Sequence, residues 1–117
     1  MATPTVTPSS NALASIEDTY FYLDDNFDAL YAACGNDDAK TRSLRSSYVT
    51  ARDAFYASVN KVIADNDPLV RSESQQLMSL NNQIQQSVIS LGSIATVLQK
   101  IDSAIQLVTK IAMIGVV

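Results

Sequence analysis

Apolar residues recur with a heptad period through the C-terminal part of the chain, from residue 70 to residue 115. The a positions are Val70, Leu77, Ile84, Leu91, Leu98, Ile105 and Ala112, and the d positions from residue 80 onward are Leu80, Ser87, Ile94, Ile101, Val108 and Gly115. This spacing places an apolar seam along one side of a helix, and such a seam is stable only when another surface covers it. The chain is therefore expected to be helical, with a function that depends on what covers the seam.

A first helix is expected to precede the seam, from about residue 10 to residue 34. Its apolar positions alternate three and four apart and are Leu13, Ile16, Tyr20, Leu23, Phe27, Leu30 and Cys34. The sequence Gly35-Asn36 follows, and glycine or asparagine is common just beyond a helix C-terminus. The pattern indicates a turn at this point.

A second helix is expected over residues 38–65, with either Asp37 or Asp38 as its N-cap. Its apolar face consists of Leu44, Tyr48, Ala51, Phe55, Val59 and Val62. The sequence Asn66-Asp67-Pro68 supplies a stop, a cap and a first-turn proline for the next helix.

The remaining stretch is either one very long helix or two helices separated by a reversal at Leu91-Gly92-Ser93. An unbroken helix from residue 69 to residue 114 would measure about 70 Å at 1.5 Å per residue and would overhang the first two by about half. The sequence therefore favours an all-α, antiparallel up-and-down bundle of four helices over three helices with one very long C-terminal helix. The expected helices are residues 10–34, 38–65, 68–90 and 93–114, after a flexible tail of residues 1–9.

Length and charge limit the partners of this bundle. A chain of 117 residues with 47% apolar residues suits one helical domain, residues 10–117. The net charge of −4 argues against nucleic acid as a partner. No cleavable signal peptide is recognisable, so we expect a cytoplasmic protein or one exported by a signal-independent route.

Catalytic chemistry finds little support in the composition. The chain has no histidine, the commonest general base and the commonest nitrogen ligand of metal ions. Its one cysteine, Cys34, lies on an apolar seam and is expected to be a buried, inert thiol. Asp24, Asn26 and Asp28 match the first positions of a calcium loop, but Ala29 stands where that loop needs glycine. We expect no enzymatic activity, no catalytic residue, no cofactor and no metal site.

Aromatic and charged residues are concentrated in the first half of the chain. All eight aromatic residues precede residue 57, and four of them lie off or beside the seams: Phe21, Tyr22, Tyr31 and Tyr56. These four are candidates for a contact surface, because tyrosine is favoured at interfaces. Residues 17–38 carry seven acidic side chains and no basic one. Residues 40–61 carry five basic side chains and one acidic side chain. Either the first two helices pair through complementary charges, or the acidic face meets a basic partner.

The apolar seam is a narrow stripe up to Leu91, and beyond Ile94 apolar residues occupy most of the helix circumference. The candidate interaction residues are Leu91, Ile94, Leu98, Ile101, Ile105, Leu107, Val108, Ile111 and Ile114. The favoured hypothesis is a non-enzymatic bundle that acts through a protein partner or as a homo-oligomer. The alternative is a membrane-active protein, pore-forming or effector-like, whose apolar helix is concealed until a trigger releases it. A small-molecule-binding bundle is a weaker alternative.

Overall fold

The computed structural model describes residues 8–59 and 68–114, and the described residues form four α-helices. These are α1 (Pro8–Cys34), α2 (Asp38–Val59), α3 (Pro68–Gln86) and α4 (Ile94–Ile114). The all-α prediction and the choice of four helices are confirmed. The predicted tail covered residues 1–9, but Pro8 and Ser9 belong to α1. Residues 1–7 of that tail lie outside the described residues, as do the end of the second helix at residues 60–65 with Val62, the cap at residues 66–67 and the seam position Gly115. The side chains of residues 8–11 and 114 also lie outside the description.

The turn between α1 and α2 forms as the sequence predicts. Gly35 has a φ of 60°, in the left-handed region that glycine enters without steric cost, and its N–H donates to the carbonyl of Ala32 at 3.1 Å. Asp37 is the N-cap of α2, since its Oδ1 accepts from the N–H of Lys40 at 3.1 Å and its carbonyl from the N–H of Thr41 at 3.0 Å. This bond to the Lys40 backbone is the main cause that holds the pKa of Asp37 below its ordinary value.

The break between α3 and α4 contains a pair of serines that the sequence interpretation missed. The N–H of Ser93 donates to Oγ of Ser90 at 3.2 Å, and the N–H of Ser90 donates to Oγ of Ser93 at 3.1 Å. The backbone N–H of Ser93 also donates to the carbonyl of Ser90 at 3.1 Å, so the two serines close a turn over residues 90–93, directly before α4 begins at Ile94. Ser93 Oγ also donates to the carbonyl of Val88. Gly92 therefore lies in a turn, and the continuous heptad phase across it does not reflect a continuous helix.

Helix α3 ends four residues earlier than predicted, at Gln86 rather than residue 90. The N–H of Ser87 bonds to the carbonyl of Ile84 at 3.0 Å, a tightened last turn, and Ser87 Oγ donates to the carbonyl of Gln83 at 2.8 Å. These bonds satisfy carbonyl groups that would otherwise accept from a further helical turn.

The helices are not packed in their sequence order. α1 packs against α2 and α3, α4 packs against α2 and α3, and α1 also touches α4, whereas the described residues of α2 and α3 make no contact. An up-and-down bundle would place α2 and α3 side by side. Eight residues separate these two helices, enough chain at about 3.3 Å per residue to reach the opposite corner of a bundle with helices 8–10 Å apart.

The neighbours α1 and α3 run in the same direction. Nδ2 of Asn81 donates to the carbonyl of Ser15 at 3.0 Å. At the far end, a Cβ built on Gly35 would lie 3.4 Å from Cδ1 of Leu91, just beyond α3. By contrast, Lys110 near the end of α4 is 3.8 Å from Glu73 in α3, so α3 and α4 run in opposite directions.

A buried polar contact joins α1 to α3 inside the bundle. Oγ1 of Thr19 donates to Oδ1 of Asn81 at 2.7 Å, and both side chains are buried. The Asn81 amide also bonds to Ser15, so its donor and its acceptor both have partners on α1. A satisfied buried amide of this kind fixes the register of two helices, because sliding would leave its polar atoms unpaired.

Candidate contact surface

Most of the large apolar residues of α4 lie in the core, together with residues of the other three helices. Seven of the nine candidate interaction residues are buried against the other helices: Ile94, Leu98, Ile101, Ile105, Leu107, Val108 and Ile111. Leu91 lies in the turn and is 73% exposed, and the side chain of Ile114 lies outside the described residues. The fold-back of α4 onto α2 and α3 thus covers the seam within a single chain. Assembly through these seven residues would require the bundle to open.

The seams predicted for α1 and α2 are largely buried as well. Ile16, Tyr20, Leu23, Leu30 and Cys34 of α1 are buried, as are Leu44 and Ala51 of α2. Val59 differs from the prediction, since it is exposed while the neighbouring Ser58 is buried. Burial raises the pKa of the Cys34 thiol, which makes it a poor nucleophile at neutral pH.

Seven of the eight aromatic rings form one connected cluster between α1 and α2. The members are Tyr20, Phe21, Phe27, Tyr31, Tyr48, Phe55 and Tyr56. Tyr20 is its centre and stacks on Phe55 with ring centroids 5.5 Å apart, while Phe27 meets Tyr48 edge to face at 5.2 Å. Such tilted and offset pairs are the favourable arrangements for aromatic rings.

Three members of this cluster reach the solvent. Phe21, Tyr31 and Tyr56 are 44%, 42% and 57% exposed, and we call them the aromatic surface. All three belong to the four residues that the sequence placed beside the seams. The fourth, Tyr22, is half-buried against α3, and burial raises the pKa of its phenol.

The charged residues of α1 and α2 do not pair as the complementary-charge prediction required. Within residues 8–59, the ion pairs are Lys40–Asp37 and Arg52–Asp53, and neither joins the acidic residues of α1 to α2. The two helices use aromatic partners instead. The guanidinium of Arg45 lies 5.5 Å from the centre of the Tyr31 ring, and the Tyr48 hydroxyl donates to Asp24 at 2.8 Å. That bond to Asp24 is the main reason that the pKa of Tyr48 is raised.

A cleft of about 330 Å³ lies where α1 meets α3. Its lining residues are Asp18, Phe21, Tyr22, Asp25, Asn26 and Gln85. Asp18 and Asp25 are exposed carboxylates seven residues apart, which is about two helical turns, and Phe21 lies between them. Sequence reasoning could not find this cleft, because it depends on α1 and α3 running side by side.

The residues that resemble a calcium loop lie within a continuous helix. Asp24 accepts from Tyr48, and Nδ2 of Asn26 donates to the carbonyl of Tyr22 at 2.9 Å, so the segment is part of α1 rather than a loop. Across the two described stretches, no group of three or more His, Cys, Asp or Glu side chains could hold a metal ion. Among the same residues, no helix is both long and apolar enough to cross a membrane.

Comparisons with known proteins give no relative: no protein-family model, no curated protein and no solved structure matches this chain.

Proposed function

We propose that this chain is a non-enzymatic helical bundle that acts through protein–protein contact at its aromatic surface, with a protein partner or a second copy of itself. One observation carries the proposal. Phe21, Tyr31 and Tyr56 are 42–57% exposed at the edge of a packed aromatic cluster, whereas the seven described candidate residues of α4 are buried. Aromatic side chains are enriched at contact surfaces and often supply most of the binding energy there.

The aromatic surface is also held in place before any partner arrives. Phe21 contacts the rings of Tyr20 and Phe55, Tyr56 contacts the same two rings, and Tyr31 is held between Phe27 and Arg45. A ring that is already fixed loses little conformational freedom on binding, which favours affinity. α4 supports this surface indirectly, by forming the core on which α1 and α2 pack.

The test is photo-crosslinking from the aromatic surface. A benzophenone amino acid at Tyr56 should give one discrete crosslinked protein species, which mass spectrometry identifies as a second copy or as another protein. The same group at Gln75, an exposed position of α3, is the matched control and should give none. Adding Phe21→Ser and Tyr31→Ser to the Tyr56 variant should reduce the yield. No product from Tyr56, or the same products from Gln75, would reject the proposal.

A further inference from the structure

We infer that the cleft between α1 and α3 receives an arginine side chain of the partner protein. The inference rests on the proposed function and identifies the chemistry of the partner that would dock beside the aromatic surface. Phe21 belongs to both features, since it is one of the three exposed rings and also lines the cleft. A partner that covers Phe21 therefore has access to the cleft.

The charges at the cleft favour a cation. Asp18 and Asp25 are its only charged lining residues, and neither is within 4 Å of a Lys or Arg nitrogen in the described part of the chain. Helix α1 carries five carboxylates, Glu17, Asp18, Asp24, Asp25 and Asp28, and no basic residue. A partner cation thus meets attraction from the whole helix as well as from the cleft, which supplies both steering and orientation.

The other lining groups favour a guanidinium over an ammonium. A guanidinium is planar, binds carboxylates through parallel hydrogen bonds and stacks on aromatic rings, and the cleft offers carboxylates beside the exposed ring of Phe21. An aromatic ring of the same helix already contacts a guanidinium, because Arg45 lies over the ring of Tyr31. Oη of Tyr22, a cleft residue, is buried and has no hydrogen-bond partner among the described residues. The volume, about 330 Å³, is at the lower limit for small-molecule pockets and suits one side chain.

The test uses two blocked amino acids as probes, N-acetylarginine methylamide and its neutral isostere N-acetylcitrulline methylamide, followed by NMR of the isotopically labelled full chain. Arginine should give saturable shifts at Asp18, Phe21, Tyr22, Asp25 and Gln85, with a dissociation constant on the order of 1 mM. Citrulline should bind at least about fivefold more weakly, since it lacks the charge.

Matched variants locate the binding. Asp18→Asn together with Asp25→Asn should weaken arginine binding by about fivefold or more, corresponding to roughly 1 kcal/mol. The pair Glu17→Gln and Asp28→Asn removes the same charge from the same helix outside the cleft, keeps the Tyr48–Asp24 hydrogen bond, and should change the affinity by less than about twofold. Equal binding of citrulline, equal effects of the two pairs, or shifts spread over all acidic residues would overturn the inference. Crosslinking from Tyr56 together with a failed arginine titration would reject the cleft assignment alone, whereas failed crosslinking would reject the proposed function itself.

Discussion

The two halves of this bundle contribute different kinds of apolar side chain, although each half leaves some large ones exposed. The α1–α2 half carries every aromatic ring and leaves three of them at least 42% exposed. The α3–α4 half has no ring, and its aliphatic side chains from Ile94 to Ile111 are almost completely buried. Branched aliphatic residues fit the spaces between helices, whereas rings that extend from the edge of a two-helix interface are covered on one side only. The comparison indicates that the branched side chains of α4 pack inside a core shared by all four helices, whereas the aromatic cluster of α1 and α2 extends from that core to the surface.

The largest effect is expected from truncation of a core residue in α4. Ile101 is 1% exposed, so Ile101→Ala should lower the free energy of unfolding by about 2–5 kcal/mol, because it removes buried methyl groups and leaves a cavity. The exposed counterpart on the same helix is Met113, and Met113→Ala should change stability by no more than about 0.5 kcal/mol. Urea denaturation measures both. Similar values for the two variants would mean that α4 is not the core.

A second prediction concerns the polar contact between the halves. Asn81→Leu should destabilise the fold by about 1–3 kcal/mol, because it removes two buried hydrogen bonds between α1 and α3, the one from the Thr19 hydroxyl and the one to the Ser15 carbonyl, and places an apolar side chain against these polar groups. The double variant with Thr19→Val should lose less unfolding free energy than the sum of the two single variants, since it also removes the hydroxyl that bonded to Asn81. Strict additivity in a double-mutant cycle would show that the two side chains do not interact.

The two turns should respond in opposite ways to the same substitution. Gly35→Ala should destabilise the fold by about 1–2 kcal/mol, because the φ of 60° places an alanine Cβ close to the backbone. Gly92→Ala should stabilise it by about 0.4–1 kcal/mol, since no atom lies within 4 Å of a Cβ built there and the unfolded chain loses freedom. Thermal or urea unfolding gives both values. Destabilisation by Gly92→Ala would show that the turn at residues 91–93 needs glycine itself.

The smallest expected effect concerns the free energy of unfolding at alkaline pH and arises in the α1–α2 half. The pKa of Tyr48 is raised in the folded state, chiefly by its hydrogen bond to Asp24. Its contribution to stability is therefore fully present below the unfolded pKa of about 10, and is lost as the pH rises towards the folded pKa. Tyr48→Phe should make the free energy of unfolding fall less steeply above pH 10. Identical slopes for the two proteins between pH 9 and pH 11 would contradict the assignment.

Local signals in the sequence were enough for the first turn and for most of the core. Glycine at residue 35 and aspartate at residue 37 are residues that a helix end and a helix start prefer, and most of the α1 seam is buried as its spacing predicts. Of the four off-seam aromatic residues, Phe21, Tyr31 and Tyr56 are exposed, whereas Tyr22 is half-buried, so the off-seam position is an imperfect guide to exposure.

Other features depend on bonds or packing that periodicity does not encode. The heptad phase continues across residues 87–93 although Ser87 bonds to the end of α3 and Ser90 and Ser93 close a turn before α4. Serine hydroxyls that bond to nearby backbone groups compete with helix formation, and this was the available signal. The α1–α3 cleft requires two helices distant in sequence to lie side by side, and no pattern within either helix specifies that pairing.

The central claim is that the chain covers its own α4 seam, and a distance between spin labels at Gln76 and Gln106 tests it most directly. Both glutamines are exposed, and the buried Cys34 can be replaced by alanine so that only the introduced cysteines are labelled. The Glu73–Lys110 contact places the two positions at the same height along the bundle axis, so we predict a distance below about 20 Å. This distance should persist when labelled protein is diluted tenfold with unlabelled chain. A distance near 45 Å, that of a continuous helix, or a short distance that disappears on dilution would contradict the claim.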